Sequence, residues 1–260
     1  GLGDVYKRQE FIMQKIAAVI LTKNEEKNIQ AVIENARKSV DEIIVIDSGS
    51  TDRTVEFAQK CCAKVFFRQW DNDFSAQRNF ALDKTDADYV LYLDADERMS
   101  DELCQEVKKI AADGELKQYS FMRKINAFGF EYKYGVFIPD EVIRVFPREY
   151  VHWENKVHER PVCQLPKVQL HGFADHYTFN SLQQWLDKAG KYTTIWAQDN
   201  YSRGKRVGVS AAFLHGIYGF IRVYFIQLGF LDGWGGMYSS CLHSFYTMLK
   251  YWKLYESNDS

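Results

Sequence analysis

The chain has 260 residues, room for one sizeable domain or a domain with an appendage, and its 46% apolar and 26% charged content is that of a globular protein, not a disordered one. A formal net charge of −2 argues against a nucleic-acid partner bound through bulk positive charge. Five cysteines, an odd number without CxxC spacing, argue against a disulfide framework and a structural zinc site and favour a reducing compartment.

The opening GLGDVYKRQ has no initiator and no apolar core of a signal peptide. It resembles a spurious translated leader, so residues 1–12 are expected to be non-native and the chain proper to begin at Met13. Ile16–Leu21 then predicts a buried strand. Apolar Ile29, Val32, Ile33 and Ala36 predict a helix over Glu25–Lys38. Ile43–Ile46 is a second strand and Thr54–Cys61 a helix with Thr51 or Asp52 placed to cap it. Val65–Phe67, Ser75–Asp83 and Tyr89–Leu93 continue as strand, helix and strand. Asp101–Ala111 follows as a helix opened by Ser100 and followed by Gly114. This alternation predicts βαβ units and a mostly parallel sheet, in which ligands sit beyond the carboxyl ends of the strands.

The residues at those ends are Thr22-Lys23-Asn24-Glu25, Asp47-Ser48-Gly49-Ser50-Thr51-Asp52 and Asp94-Ala95-Asp96-Glu97. An Asp-x-Asp at a strand end can aim two carboxylates at one point, and such oxygen donors suit Mg²⁺ or Mn²⁺ carrying phosphate oxygens. Each stretch alone reads equally as a solvated turn or a helix cap; their joint occurrence at successive strand ends favours a site. Neither GxxxxGK[ST] nor GxGxxG is present, so the phosphates are expected on a metal instead of a glycine-rich cradle.

TKNEE, VIDSGSTDRT, SAQRNFAL and YLDADE, with IRVFPR (143–148) and KVHE (156–159) further on, resemble the inverting family 2 glycosyltransferases of GT-A fold. Their wording is most similar to the lipopolysaccharide or lipooligosaccharide core β-1,4-glucosyltransferase branch. The resemblance implies that Thr22, Asn24 and Glu25 surround the nucleotide base and ribose, with Asp47 on the nucleotide side. It also implies that Asp94 and Asp96 bind a divalent metal and that Arg78 and Asn79 face the diphosphate. Many members carry a second Asp at the position where this chain, like that branch, has Ser48. Arg78 has the alternative of a surface ion-pair partner on its helix.

From 115 to 180 the pattern becomes strand-like, with Tyr119–Ile125, Gly129–Tyr134 and Val142–Phe146 as β-formers between the breakers Gly135 and Pro139. An inverting transfer needs a carboxylate to take the acceptor proton. Asp140, Glu141, Glu154 and Glu159 are candidates. Glu159 matches the family position, against the alternative of a surface strand-end acid. His152, His158, His171 and His176 cluster without a zinc-binding spacing. His158 is placed to orient Glu159 and His176 to add a ligand to the metal, against a default of structural hydrogen bonding.

Residues 181–260 hold 17 aromatic side chains and eight Lys/Arg against five Asp/Glu. Helices are expected over Ser181–Ala197, Val209–Leu228 and Met237–Tyr255. Aromatic and basic side chains together suit a membrane interface, and equally a helical subdomain with an aromatic core. No run reaches the roughly 18 uncharged apolar residues of a spanning helix. Val207–Ile221 holds 15 and Arg222 ends it, so a chain lying on a membrane, not crossing it, is expected.

The combined expectation is an α/β GT-A enzyme over 13–180, with a nucleotide-sugar half (13–112) and an acceptor half (113–180), and a helical extension over 181–260. By resemblance it moves a hexose, glucose in that branch, from a nucleotide-diphosphate sugar (UDP-sugar) to a glycolipid or core oligosaccharide. It would work at the cytoplasmic face of the inner membrane. The alternatives are another polysaccharide or lipid-linked acceptor, or a non-catalytic nucleotide-sugar-binding module, which would be expected to lack the Asp-x-Asp or the base.

Overall fold

The computed structural model describes residues 14–156 and 159–259. The leader 1–12, the expected start at Met13 and the expected role of His158 lie outside the described residues. The chain forms two compact units, one within Gly1–Met122 and Glu141–Ala174, the other within Arg123–Asp140 and Asp175–Ser260. This division differs from the expected stretches 13–180 and 181–260, because residues 123–140 and 175–180 group with the C-terminal helices.

The first unit opens with β1 (Ile16–Thr22), α1 (Ile29–Ala36), β2 (Glu42–Asp47), α2 (Thr54–Lys60), β3 (Lys64–Phe67), α3 (Phe74–Leu82) and β4 (Tyr89–Asp94). The chain continues through β5 (Glu97–Met99), α4 (Asp101–Asp113), β6 (Gln118–Ala127), β7 (Phe130–Tyr132), β8 (Asp140–Pro147), β9 (His152–Glu154), β10 (Arg160–Val162) and β11 (Lys167–Phe179). β7 lies in the second unit, and the ends of β6 and β11 run into it. Among the described residues the main sheet runs β3-β2-β1-β4-β8-β6-β11-β5, and β9 and β10 form a separate pair. β1 through β4 are parallel; β8 joins β4 antiparallel. The sheet is mixed where the sequence predicts a mostly parallel one, and it is flanked by helices as expected of the GT-A fold.

β1 is apolar on both faces, as a covered parallel strand must be. Ile16, Ala18 and Ile20 enter one core cluster with α1 and α4, and Ala17 and Val19 enter the other with Tyr92, Phe146 and Trp153. Ser100 Oγ accepts the Leu103 N–H at 3.1 Å and Gly114 takes the left-handed conformation, so α4 starts and stops where its cap residues dictate. α1 is shorter than expected. Asn24 turns left-handed (φ 56°), and the N–H groups of residues 24–26 bond to the loop after β2 instead of starting a helix. α4 lies directly on β11: a Cβ at Gly172 would come within 2.4 Å of the Leu103 nitrogen.

In the second unit Ser181 caps α5 (Leu182–Ser202), accepting the Gln184 N–H at 3.2 Å. α6 (Val209–Ile221) continues through a π turn, Arg222–Ile226, and α7 (Gly233–Glu256) follows a short 3₁₀ turn. The helix expected over Val209–Leu228 is present and passes through Arg222 to Ile226. Val209–Ile226 is helical across 18 residues with mean hydropathy 1.4 and 22% buried, long and apolar enough by length and composition to cross a membrane. Part of the aromatic content packs together, half-buried within the unit. Phe128 stacks on Phe179 at 5.6 Å and meets Tyr238 edge-on at 5.0 Å, and Trp196 packs on Tyr251 at 5.1 Å.

Candidate active site

Parallel register aligns three strand ends. Thr22 pairs with Asp47, and Leu21 pairs with Asp94. From β1 the chain builds outward to β3 and then returns to β4 on the other flank of β1, so the crevice between the ends of β1 and β4 is a topological switch point. Thr22 is buried there, and its Oγ1 has no hydrogen-bond partner among the described residues.

The first two loops are one hydrogen-bonded piece. Asn24 Oδ1 accepts the Thr51 N–H at 2.7 Å while the Asn24 N–H donates to Ser50 Oγ at 2.9 Å. The Glu25 N–H donates to Thr54 Oγ1 at 2.7 Å and the Glu26 N–H to Asp52 Oδ2 at 3.2 Å. Asp52 also accepts the Thr54 N–H at 3.0 Å, although the cap position of α2 is Arg53, which makes no side-chain cap hydrogen bond, and not Thr51 or Asp52 as expected. Asp47 is buried, and its carboxylate accepts the Gly49 and Ser50 N–H groups and the Ser50 hydroxyl. Asp47 therefore shapes the loop from within. Burial works to raise Asp52, yet the Thr54 hydroxyl and the Thr54 and Glu26 N–H groups hold it below the usual aspartate range. Glu25 moves the other way: burial, then the Asp96 and Asp52 carboxylates, push it up against the hydrogen bond from Asn28.

Around Asp94 the charges alternate. Arg78 Nη2 lies 3.2 Å from Asp94 Oδ1 and 3.4 Å from Glu159 Oε1. Arg144 Nη2 lies 2.8 Å from Asp94 Oδ2 and 3.4 Å from Glu97 Oε1, and Glu97 accepts the Asp94 N–H at 3.1 Å. Arg78 is buried, with its guanidinium over Trp153 at 4.6 Å and Tyr92 at 5.5 Å. It is thus no surface ion-pair partner: it joins Asp94 to Glu159, residues 16 and 81 positions away. Asn79 is a correction. Its side chain accepts the Trp153 N–H at 2.8 Å and donates to the Trp153 carbonyl at 2.9 Å, so both ends of the amide fasten β9 to α3 instead of facing a diphosphate.

The four candidate bases separate by their partners. Glu154 is half-buried between His152 and Arg160, whose hydrogen bonds hold it low. Glu141 is held low by Lys167 and the Ser120 hydroxyl. Asp140, in the second unit, is clasped by Arg123 at 3.0 and 2.6 Å. Glu159 joins the Asp94 group. Of the histidines, His152 pairs with Glu154, the backbone N–H of His171 is bound by Glu106, and His176 lies on β11 in the second unit.

Arg144 and Glu97 were not among the expected site residues. The available signal was a cation inside the apolar run Val142–Phe146 of β8. For a metal, both Asp94 oxygens already face guanidiniums, and no three His, Cys, Asp or Glu among the described residues are grouped as ligands. The donors therefore do not form a protein cage. They fit a hard ion that brings oxygen ligands with it on a diphosphate, Asp96 and Asp94 supplying carboxylate.

The profile of Glycosyl transferase family 2 matches residues 17–158. An uncharacterized glycosyltransferase of Rickettsia typhi is 30% identical over 257 residues, covering 94% of this chain and 88% of the relative. One from Rickettsia felis is 31% identical over 258 residues, covering 94% and 91%. Glucosyl-3-phosphoglycerate synthase from Mycobacterium tuberculosis, solved with Mn²⁺, uridine diphosphate and glucosyl-3-phosphoglycerate, is 26% identical with a TM-score of 0.33, covering 45% of each chain.

Proposed function

The chain belongs to glycosyl transferase family 2, and on that premise we propose that it transfers a hexose, with inversion, from a uridine-diphosphate sugar to a lipopolysaccharide core or related glycan acceptor. The observation that carries the reading is Arg78, which joins the strand-end Asp94 to Glu159 through one guanidinium nitrogen. The laced loops 22–26 and 47–54 offer a fixed shelf for the nucleoside, and the buried Thr22 hydroxyl offers an unspent polar group. Asp96 and Asp94 would hold a divalent ion, which would neutralise charge on the departing diphosphate.

Glu159 then takes the proton of the acceptor hydroxyl as its oxygen attacks the anomeric carbon; the bond to the phosphate oxygen breaks and its electron pair leaves with the nucleoside diphosphate. Glucose as the sugar and a core oligosaccharide as the acceptor rest on the wording of the motifs.

The test is turnover of UDP-, GDP- and ADP-sugars on purified core acceptors, with Mg²⁺ or Mn²⁺, for the wild type and Glu159→Gln. A base contributes roughly 10²–10⁴-fold in rate, so the variant should lose at least about 10²-fold in kcat while keeping its donor affinity. Near wild-type turnover would remove Glu159 from the mechanism. A parallel loss of donor affinity would place it in the donor pocket.

A further inference from the structure

Helix α6 buries its small residues and exposes its large ones. Ala212, Gly216, Gly219 and Val223 are its buried stripe, and a Cβ at Gly216 would come within 2.2 Å of Met248 Cγ on α7. Leu214, Ile217, Tyr218, Ile221 and Phe225 recur at the spacing of one helix face, and all are exposed; Leu214 is 66% and the neighbouring Ile226 65% accessible. A water-facing helix has the opposite arrangement. Small residues against a neighbouring helix and large apolar ones outward is how helices pack in lipid. The exposed series continues past the π turn through Leu228, Phe230 and Leu231 to Trp234, which is 82% accessible. A run of this extent exceeds the scattered apolar residues of an ordinary soluble surface.

The charges identify the occupant. From residue 207 to 249 the sequence carries two charged side chains, Arg222 and Asp232. Asp232 is turned inward, its carboxylate accepting the Lys133 and Tyr134 N–H groups at 3.1 and 2.9 Å. The outward series therefore presents Arg222 and no acid. Arg203, Lys205 and Arg206, all exposed, stand just before it in the chain, Arg203 being paired with Asp199 at 3.0 Å. An apolar face rimmed by cations and aromatic rings matches the boundary between acyl chains and anionic headgroups. Because the Ala212–Val223 stripe is held inside the unit, one side of α6 faces outward, which suits a helix lying in that boundary over one crossing it.

We propose that α6 and the Phe230–Trp234 segment bed into the surface of an anionic lipid bilayer. This stands apart from the transfer reaction, since no residue of the site around Asp94 takes part.

The experiment is co-sedimentation of the full chain with phosphatidylcholine vesicles, with and without phosphatidylglycerol, together with quenching of tryptophan emission by brominated acyl chains. The wild type should sediment with the anionic vesicles, lose binding as salt rises, and be quenched. Trp234→Phe should remove much of that quenching while keeping the fold. Leu214→Glu combined with Ile217→Glu should weaken binding about tenfold or more, and Arg203→Glu with Lys205→Glu should erase the preference for phosphatidylglycerol. A wild type that stays in the supernatant with both vesicles, or is not quenched, overturns the proposal whatever the variants do. So does a lipid-free dimer, seen by light scattering, that Leu214→Glu with Ile217→Glu converts to monomer, for that face would then join two copies of the chain.

Discussion

Replacing Arg144 with methionine removes one charge and little volume from the middle of β8. Arg144 is 7% exposed, and its Nη2 serves both Asp94 Oδ2 at 2.8 Å and the fully buried Glu97 at 3.4 Å. Removing one partner of a buried ion pair typically costs about 3–5 kcal/mol, because the other charge stays buried without compensation. Two features reduce that here. The Asp94 side chain is 31% exposed and keeps Arg78, and Glu97 still accepts the Asp94 N–H. The expected loss is therefore about 2–3 kcal/mol. At about 2–4 °C per kcal/mol for a chain of this size, Tm should fall by roughly 4–12 °C. Urea unfolding followed by circular dichroism at neutral pH measures it. Arg144→Met with Glu97→Gln should regain at least about half of the loss, since an amide needs no counter-charge. A single-variant cost below about 1 kcal/mol, or a double variant no better than the single, would refute the account of Glu97 as a charge that depends on Arg144.

Asn79→Ala removes two hydrogen bonds to Trp153 and should cost about 1–3 kcal/mol with donor affinity unchanged in calorimetry; a selective loss of affinity would return Asn79 to the diphosphate. Gly172→Ala places a methyl 2.4–2.6 Å from Leu103 backbone and Cβ atoms, and should lower stability by about 3 kcal/mol in the same urea assay, a neutral result sinking the close α4–β11 contact. Glu25 has a folded-state pKa above its ordinary 4.5, so the folded state holds its proton longer than the unfolded one. Its contribution to stability is complete below 4.5 and is lost as pH rises through the raised value. Glu25→Gln should therefore match the wild type at low pH and exceed it at neutral pH in urea midpoint, and parallel curves across that range would contradict this.

The strands that position the site were legible because each is a continuous apolar run covered on both faces, and α4 because Ser100 and Gly114 mark its ends. The polar strand ends were legible for the same reason, since they interrupt runs that have no other cause to stop. β11 was not. Its 13 residues include His171, Gly172, Asp175 and His176 and follow no clear alternation; its place comes from β6 and β5, which lie far away in sequence. Asn79 looked like a ligand-facing residue because a free amide and an amide spent on Trp153 look the same in a string of letters. Arg78 and Glu159 were each found, but not their pairing across 81 positions. The helix of residues 209–226 was legible through Arg222, because one long cationic side chain can lie along an apolar helix without ending it.

The lacing of residues 24–26 to residues 50–54 has a consequence for how this site can change. The two loops are separated in the chain by a complete helix and strand, yet neither has its shape alone: Asn24 holds Thr51, and Thr54 and Asp52 hold residues 25 and 26. A graft of either loop from a relative would arrive without its counterpart and leave backbone groups on the recipient unanswered. Specificity transplanted between relatives must therefore move both segments in one step, and substitutions drifting into one should be tolerated mainly where the other has drifted to match.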